Sequence, residues 1–284
     1  MLRPDDFDFM AKLLKDRSGL VITQDKGYLL ESRLLPLARN RNLKGLEDIV
    51  ARLRARDEAL ARDVTEAMTT NESFFFRDQK PFDLFRDTVL PTLLTARATK
   101  KSLRIWSAAC SSGQEAYSLA MLLREQQARL AGWRIEILGT DISTEILDKA
   151  KAGLYSQFEV QRGLPVQLML KYFKKKDESW QIDPALRAMV QFREFNLLHD
   201  VRTLGTFDVV FCRNVLIYFD QETKGRVLDS ISKQMPDDGV LFLGGAETVL
   251  GVSERFKPVI GQRGLYTVNR TPAGTGAFTA GAGR

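Results

Sequence analysis

Two acidic residues follow apolar, strand-like segments at positions where a carboxylate could bind a ligand. Glu115 comes just after the small-residue run Ser107–Gly113, and Asp141 ends the segment Arg134–Asp141. Small residues at a strand-to-helix turn let a ligand approach the backbone, and an acid ending the next strand commonly accepts hydrogen bonds from ribose hydroxyls. The pattern favours ribose binding by Asp141 and ammonium binding by Glu115. The alternatives are a favourable charge at a helix N-terminus for Glu115 and a helix cap or turn for Asp141.

A second group of polar residues stands where another apolar segment ends. Phe207–Cys212 is strand-like and runs into Arg213 and Asn214, with Tyr218 shortly after. Polar groups at such an exit face the crevice in which open α/β sheets bind ligands. These residues are therefore candidates for the same site, and the alternative for Tyr218 is a place in the core.

An unusual aromatic segment, Thr69–Arg77, lies earlier in the chain. It contains three consecutive phenylalanines between hydrogen-bonding side chains and a terminal arginine. This composition fits a hydrophobic lid that holds polar groups over a pocket. The alternative is a core at the junction of two domains, and the two roles are compatible.

The elements that must position these residues alternate between strands and helices. The predicted strands are Leu103–Ala109, Arg134–Asp141, Val190–Asn196, Phe207–Cys212 and Gly239–Gly245, and the predicted helices are Gln114–Leu130, one capped by Ser143, and Gln221–Met235. Such alternation implies parallel βαβ units with ligands at the carboxyl ends of the strands. Near the end, Phe256–Ile260 and Leu265–Val268 flank a turn bounded by glycines and predict an antiparallel hairpin.

The first part of the chain has a helical pattern throughout. Apolar residues recur at helical spacing after Pro4, and Gly19 predicts the end of the first helix. Lys26–Asn40 and Leu46–Ala67 predict further helices. We therefore divide the chain into an all-helical N-terminal domain (1–80), a connecting helix (81–101), an α/β domain (102–270) and a tail predicted to be disordered (271–284).

Composition restricts the class of protein. Hydrophobic residues make up 44% and charged residues 27%, which are the values of a soluble globular chain with a sizeable core. The start is unlike a signal peptide and no apolar run approaches a membrane span, so we expect a cytoplasmic protein. Cys110 and Cys212 lie in strand-like contexts that predict buried free thiols, and the single histidine, His199, offers no metal-ligand spacing.

Positive charge is concentrated in the helical part. The whole chain carries +6, which favours an acidic partner, either nucleic acid or an acidic protein surface. Seven basic residues oppose two acidic ones between positions 33 and 56, a net charge of +5. The basic residues are Arg33, Arg39, Arg41, Lys44, Arg52, Arg54 and Arg56. This run predicts either a merely solvated surface or a docking face for an acidic partner.

Four segments together resemble the CheR-type chemotaxis-receptor methyltransferases. They are Thr69–Arg77, Trp106–Ser118, Gly139–Ser143 and Phe211–Phe219, and the resemblance extends over residues 1–270. It implies an α/β fold with the doubly wound, Rossmann-like sheet of S-adenosylmethionine methyltransferases and an antiparallel C-terminal hairpin. It also implies an all-helical N-terminal domain and a small β-subdomain inserted at about 155–190.

The resemblance also implies the roles of particular residues. S-adenosylmethionine would be held by Asn71, Ser73, Arg77, Ala109, Glu115, Asp141, Asn196, Leu197, Arg213 and Asn214. Arg77 and Tyr218 match residues near the reacting methyl, which makes them the catalytic candidates. Beside Arg213, both Cys212 and Asn214 remain candidates for lining the cofactor. No metal is implied.

The implied partner is the cytoplasmic helical bundle of a chemoreceptor, bound through the basic N-terminal face by a monomeric protein at receptor clusters. In some members of the family the β-subdomain captures the receptor's C-terminal peptide by strand addition. Here the segment Tyr172–Trp180 is shorter and lacks the glycines of those members. This departure argues against tethering through the receptor tail. Neither nucleic acid nor membrane insertion is expected.

The implied reaction is attack of a receptor glutamate carboxylate on the sulfonium methyl, giving a glutamyl methyl ester and S-adenosylhomocysteine. The carboxylate is ionised at neutral pH, so no general base is needed, in keeping with the absence of histidine from every motif. One alternative is a nucleic-acid methyltransferase. The residues Arg213-Asn214-Val215-Leu216 argue against it, because enzymes that methylate base amines often have a proline-containing loop at this place. The other is a non-catalytic module that binds cofactor or receptor.

Overall fold

Four helices form the first part of the chain in the computed structural model, which describes residues 2–270. They are α1 (Pro4–Ser18), α2 (Tyr28–Asn40), α3 (Leu46–Arg54) and α4 (Glu58–Ala67), with a short 3-10 turn at Gln24–Lys26. Helix α1 begins with Pro4 in its first turn and ends where Gly19 adopts a left-handed φ of 79°, as predicted. The tail predicted to be disordered, 271–284, lies outside the described residues.

The stretch Leu46–Ala67 is helical as predicted, but it forms two helices, α3 and α4. The chain breaks between α3 and α4, where Arg56 adopts a φ of 62° and the Asp57 carboxylate accepts a hydrogen bond from the Leu60 N–H at 3.0 Å. Asp57 thereby caps α4. The break lets both helices bury apolar residues in one shared core.

The predicted connecting helix is irregular and ends earlier than expected. It consists of α5 (Lys80–Leu84), a π-helical turn (Phe85–Val89) and α6 (Leu90–Ala96). The rings of Phe82 and Phe85 lie 5.9 and 6.0 Å from the ring of Phe211. This segment therefore packs against the α/β core and connects it to the helical part of the chain.

A seven-stranded sheet forms the centre of the α/β part. Its strands are β1 (Ser102–Ala108), β2 (Arg134–Asp141), β6 (Val190–Glu194), β7 (Val209–Cys212), β8 (Val240–Leu243), β9 (Phe256–Pro258) and β10 (Leu265–Val268), in the order β6-β2-β1-β7-β8-β10-β9. The first five in this order run parallel, and β9 and β10 form an antiparallel hairpin. The predicted doubly wound sheet with its closing hairpin is confirmed. Because the chain order reverses between β1 and β7, a crevice opens at their carboxyl ends.

Helices cover both faces of this sheet. They include α7 (Gln114–Glu125), α8 (Thr144–Ala152) and α12 (Gln221–Ser232). Ser143 caps α8 as predicted, accepting a hydrogen bond from the Ile146 N–H. Separate apolar clusters lie on the two faces, one around Tyr117 and the other around Trp106. No helix within residues 2–270 is long and apolar enough to cross a membrane.

A second, three-stranded sheet interrupts the chain between α8 and β6. Its antiparallel strands are β3 (Leu154–Ser156), β4 (Phe173–Lys176) and β5 (Ser179–Ile182), accompanied by α9 (Gln157–Gln161), α10 (Val166–Tyr172) and α11 (Pro184–Arg187). This is the predicted β-subdomain. Strands β4 and β5 are joined by a tight turn in which Asp177 adopts a φ of 53°.

Candidate active site

One cavity at the carboxyl ends of β1, β2 and β7 is lined by every residue that the sequence analysis assigned to cofactor binding or catalysis. These residues are Asn71, Ser73, Arg77, Ala109, Glu115, Asp141, Asn196, Leu197, Arg213, Asn214 and Tyr218. They come from the aromatic segment and from the loops after four parallel strands. The sheet therefore brings together residues that are far apart in the sequence.

Glu115 lies in the first turn of α7, buried behind the small-residue loop. Its Oε1 accepts a hydrogen bond from Ser107 Oγ at 2.8 Å, and its Oε2 accepts one from Arg213 Nη1 at 2.9 Å. Burial raises the pKa of Glu115, while Arg213 and Ser107 oppose this rise by stabilising the carboxylate. Each carboxylate oxygen keeps a second acceptor position. The group can therefore still bind a cation in the cavity.

Asp141 joins the loops that follow β1 and β2. Its Oδ2 accepts a hydrogen bond from the Ser111 N–H at 2.8 Å, and its Oδ1 accepts one from the Ser143 N–H at 3.1 Å. Burial raises the pKa of Asp141, and the backbone N–H groups partly offset this rise. Asp141 thus has the turn-forming role that was the alternative to ribose binding. Because it also lines the cavity, the ribose-binding role is compatible with the structure.

Arg213 follows β7 and is the buried centre of an ion-pair network. Its guanidinium donates to Glu115, to Asp78 Oδ2 at 2.7 Å and to the backbone carbonyl of Arg77 at 2.8 Å. The side chain is only 1% exposed. A buried charge needs such partners, since an unpaired one is costly to desolvate. Arg213 therefore connects the aromatic segment to the first-strand loop.

The aromatic segment is a junction between three parts of the molecule. The Phe75 ring lies 5.0 Å from that of Tyr155 and 5.4 Å from that of Phe173, both in the β-subdomain. At Gly163, whose φ is 80°, a Cβ atom would lie 2.1 Å from the Phe75 carbonyl oxygen, so only glycine allows this contact. The junction-core alternative is confirmed, and polar side chains at the start of the segment line the cavity.

Arg77 and Tyr218 line the cavity from two different segments of the chain. Arg77 Nη1 donates to the backbone carbonyl of Glu72 at 2.8 Å, and its guanidinium lies 5.5 Å from the centre of the Phe74 ring. Tyr218 belongs to a short 3-10 turn, Leu216–Tyr218. Both side chains are half-buried, so each is held in place yet reachable from the cavity.

The end of α1 also takes part in the site. Asn196 Nδ2 donates to the backbone carbonyl of Arg17 at 2.5 Å, and the Val21 N–H donates to the Tyr218 carbonyl at 2.9 Å. Ser18 and Leu20 line the cavity. The helical part of the chain therefore completes the cavity wall, a contribution that no motif in the sequence indicates.

The two candidates at the end of β7, Cys212 and Asn214, lie in different surroundings. Asn214 lines the cavity, whereas Cys212 is fully buried within the sheet. Both cysteines are free and buried, as predicted, and burial raises the pKa of each thiol well above its usual range. His199 is exposed, and no group of residues within 2–270 has the arrangement of a metal site.

One acid beside the cavity was missed in the sequence. Glu247 follows β8. Its carboxylate accepts hydrogen bonds from the backbone N–H groups of residues 214–216, which form the β7 exit loop. The available signal was an acid just beyond the carboxyl end of a parallel strand. Its binding partners are backbone N–H groups, which no motif displays.

Comparison with known proteins agrees with this geometry. Residues 71–265 match the family model described as the CheR methyltransferase SAM-binding domain, and residues 5–69 match that of the CheR all-alpha domain. The chain belongs to the CheR methyltransferase family. It is therefore a methyltransferase whose cofactor is S-adenosylmethionine.

Similar members of the CheR family are known from several bacteria. The chain is 40% identical to chemotaxis protein methyltransferase 1 of Pseudomonas aeruginosa, over 89% of this chain and 94% of that protein. It is 38% identical to chemotaxis protein methyltransferase Cher2 of Pseudomonas putida, with the same coverage of both chains. It is also 38% identical to a chemotaxis protein methyltransferase of Vibrio anguillarum, covering 88% and 91%.

The cavity has the chemistry that S-adenosylmethionine requires of a CheR protein. Two buried carboxylates, on Glu115 and Asp141, face it beside the apolar side chains of Ile142 and Leu197. Arg213 Nε is buried and has no hydrogen-bond partner among the described residues, which leaves it for a ligand. Carboxylates suit an ammonium and ribose hydroxyls, and apolar walls suit an adenine ring.

Proposed function

We propose that this CheR family member methylates glutamate side chains of a bacterial chemoreceptor, giving methyl esters. S-adenosylmethionine supplies an activated methyl group when it is bound. The observation that carries the proposal is the single cavity that joins the buried acids to the half-buried Arg77 and Tyr218. Such a cavity can hold the cofactor by its polar ends and leave a reactive face open to a protein side chain.

The proposed roles follow from charge and position. Asp141 holds the ribose, and Glu115 holds the methionine ammonium. Asn71, Ser73, Ala109, Asn196, Leu197, Arg213 and Asn214 line the remainder of the cofactor. Asn196 Nδ2 donates one N–H to the Arg17 carbonyl and its Oδ1 accepts from the Leu198 N–H, so the side chain offers a ligand its second N–H and the second lone pair of Oδ1.

Arg77 and Tyr218 act on the substrate carboxylate rather than on a proton. Arg77 carries a cation that can orient a glutamate, and Tyr218 shapes the position of the reacting atoms. Since a glutamate is ionised at neutral pH, the protein needs no base to activate it. Positioning two reactants can supply roughly 7–11 kcal/mol of a barrier. Catalysis therefore depends mainly on how the two reactants are positioned.

The basic helical face is proposed to dock the receptor. Fewer than the seven basic residues counted between positions 33 and 56 are free for this role, because several bond within the protein. Arg33 donates to the backbone carbonyls of Met68 and Thr69 at 2.6 and 2.9 Å, so it holds the start of the aromatic segment. Arg41 pairs with Asp63, and Arg54 pairs with Asp6.

Arg52 lies 4.0 Å from the Asp57 carboxylate, so within the run from position 33 to 56 the exposed basic residues without an ion pair among the described residues are Arg39, Lys44 and Arg56. These cations are the best candidates to meet the acidic methylation region of a receptor bundle. Side chains already paired within the protein gain less from a new acidic partner.

The β-subdomain presents a free strand edge, but its contribution to docking is proposed to be secondary. Strand β4 is an edge of the small sheet, and its three lysines are exposed. Lysine on an edge strand discourages pairing with another strand. Receptor methylation should therefore continue without the receptor's C-terminal peptide. The same docking would bring the protein to membrane receptor clusters.

Labelled S-adenosylmethionine, chemoreceptor-bearing membranes and total RNA in one incubation test the proposed function. We expect label on the receptor protein that mild alkali releases, because carboxyl methyl esters hydrolyse readily. Label on RNA, or alkali-stable label on protein, would overturn the glutamate assignment. Tight cofactor binding with no transfer to any acceptor would favour the non-catalytic alternative.

A further inference from the structure

Glu247 accepts hydrogen bonds from backbone groups at the ends of two neighbouring strands. Its Oε1 accepts from the N–H groups of Val215 and Leu216 at 3.0 and 2.8 Å. Its Oε2 accepts from those of Asn214 and Gly244 at 2.9 and 2.7 Å. A charged acceptor makes stronger bonds to N–H groups than a neutral one. One carboxylate therefore fastens the β7 exit loop to the end of β8.

The exit loop has a conformation that calls for such an anchor. Asn214 adopts a φ of 58°, in the left-handed region that is unfavourable for residues other than glycine. At Gly244, a Cβ atom would lie 2.8 Å from both Glu247 Oε2 and Asn214 Nδ2 and 3.0 Å from the Asn214 backbone nitrogen. The absence of a side chain at Gly244 lets the strand end, the carboxylate and the loop meet.

The residues at the two ends of this loop are held differently. Arg213 is fixed by Glu115 and Asp78, independently of Glu247. The Glu247 carboxylate bonds the N–H groups of three consecutive residues, 214–216, while the Tyr218 carbonyl at the end of the turn accepts from the Val21 N–H. Loss of the anchor should therefore disturb the reacting end of the cavity more than the Arg213 end.

We propose that Glu247 is a positioning residue for methyl transfer. It holds the backbone of the β7 exit loop in the conformation that places Tyr218 correctly. The inference rests on the proposed function. Glu247 acts through the loop backbone and not by touching the substrate. Its carboxylate form is essential because all four of its partners are donors, and a glutamine amide would turn an N–H donor toward two of them.

Glu247→Gln tests the inference, with Glu254→Gln as the matched control on an exposed acid further along the same connection. We expect single-turnover methylation by Glu247→Gln to fall on the order of 100-fold, the scale for a misplaced reacting group. The dissociation constant for S-adenosylhomocysteine should rise less than about tenfold, since the Arg213 network stays intact. Amide hydrogen exchange should become faster at residues 214–216, and Glu254→Gln should match the wild type in all three measurements.

Gly244→Ala provides a second approach, because it keeps the carboxylate and crowds it by the added Cβ. It should reproduce the split between a slow turnover and a nearly normal affinity. A folded Glu247→Gln protein with wild-type turnover, or with unchanged exchange at 214–216, overturns the inference. Equal losses in turnover and affinity also overturn it, since they indicate general disruption. If the wild type methylates no receptor, the proposed function fails, whereas exchange and affinity still decide whether Glu247 anchors the loop.

Discussion

Replacing Asp141 by alanine separates the proposed ligand role of this residue from its structural role. The carboxylate accepts the Ser111 and Ser143 N–H groups at 2.8 and 3.1 Å, and the mutation leaves both without it. Each buried donor that loses its acceptor costs about 1–3 kcal/mol. Water entering the vacated space satisfies part of this loss, so we expect the free energy of unfolding to fall by about 2–4 kcal/mol.

Cofactor affinity should fall as a separate effect. A lost hydrogen bond to a charged acceptor weakens S-adenosylhomocysteine binding by about 1–3 kcal/mol, or roughly 5- to 150-fold. Titration calorimetry well below the unfolding temperature measures this change, and thermal unfolding without ligand measures the structural one.

Asp183→Ala is the matched control for this experiment. Asp183 accepts the Ala185 N–H at 2.7 Å at the start of α11 and does not line the cavity, so its loss removes a backbone hydrogen bond without touching the proposed site. It should lower stability and leave affinity unchanged. A folded Asp141→Ala protein that binds S-adenosylhomocysteine as tightly as the wild type would refute the ribose assignment.

Further predictions concern catalysis, docking and pH. Arg77→Ala and Tyr218→Phe should each slow single-turnover methylation more than their effect on stability explains; a wild-type rate in either removes that residue from the mechanism. Deleting the receptor's C-terminal peptide should leave methylation detectable, and its complete loss would make the β-subdomain the main tether. Because burial raises the pKa of Glu115, S-adenosylhomocysteine affinity should fall as pH drops through the range just above the ordinary carboxyl value of about 4.3. As the pH drops through the same range, the ligand-free protein should gain stability, since its folded state holds the proton more tightly than the unfolded chain does. An affinity for S-adenosylhomocysteine that does not change with pH contradicts the ammonium role. Reversing exposed basic residues to glutamate should weaken receptor binding in a salt-dependent way and spare cofactor affinity, and unchanged methylation would refute the docking model. The residues to reverse are Arg39, Lys44 and Arg56.

Much of the site could be predicted because its residues follow strands. The segments ending at Ala108, Asp141 and Cys212 are apolar blocks bounded by polar or small residues, so their ends are visible in the sequence. Parallel strands must place their carboxyl ends at one edge. Once the strands are known, Glu115, Asp141 and Arg213 are brought to the same crevice by topology alone.

Other features depend on contacts that the sequence does not display. The break after α3 could not be predicted from periodicity, because the apolar spacing of α3 and α4 continues across it. The carboxylates that pair with the basic run, on Asp6 and Asp63, lie outside the window in which the charge was counted. Glu247 bonds to the backbone of residues more than thirty positions away, and backbone N–H groups are the same in every sequence.

Mass spectrometry of a receptor incubated with this protein and S-adenosylmethionine directly tests the claim that the protein methylates receptor glutamates. We predict methyl esters on glutamate side chains within the cytoplasmic helical bundle, formed at a much lower rate by Arg77→Ala. Methyl groups found instead on lysine, on nucleic acid, or on no component of the mixture would contradict the claim.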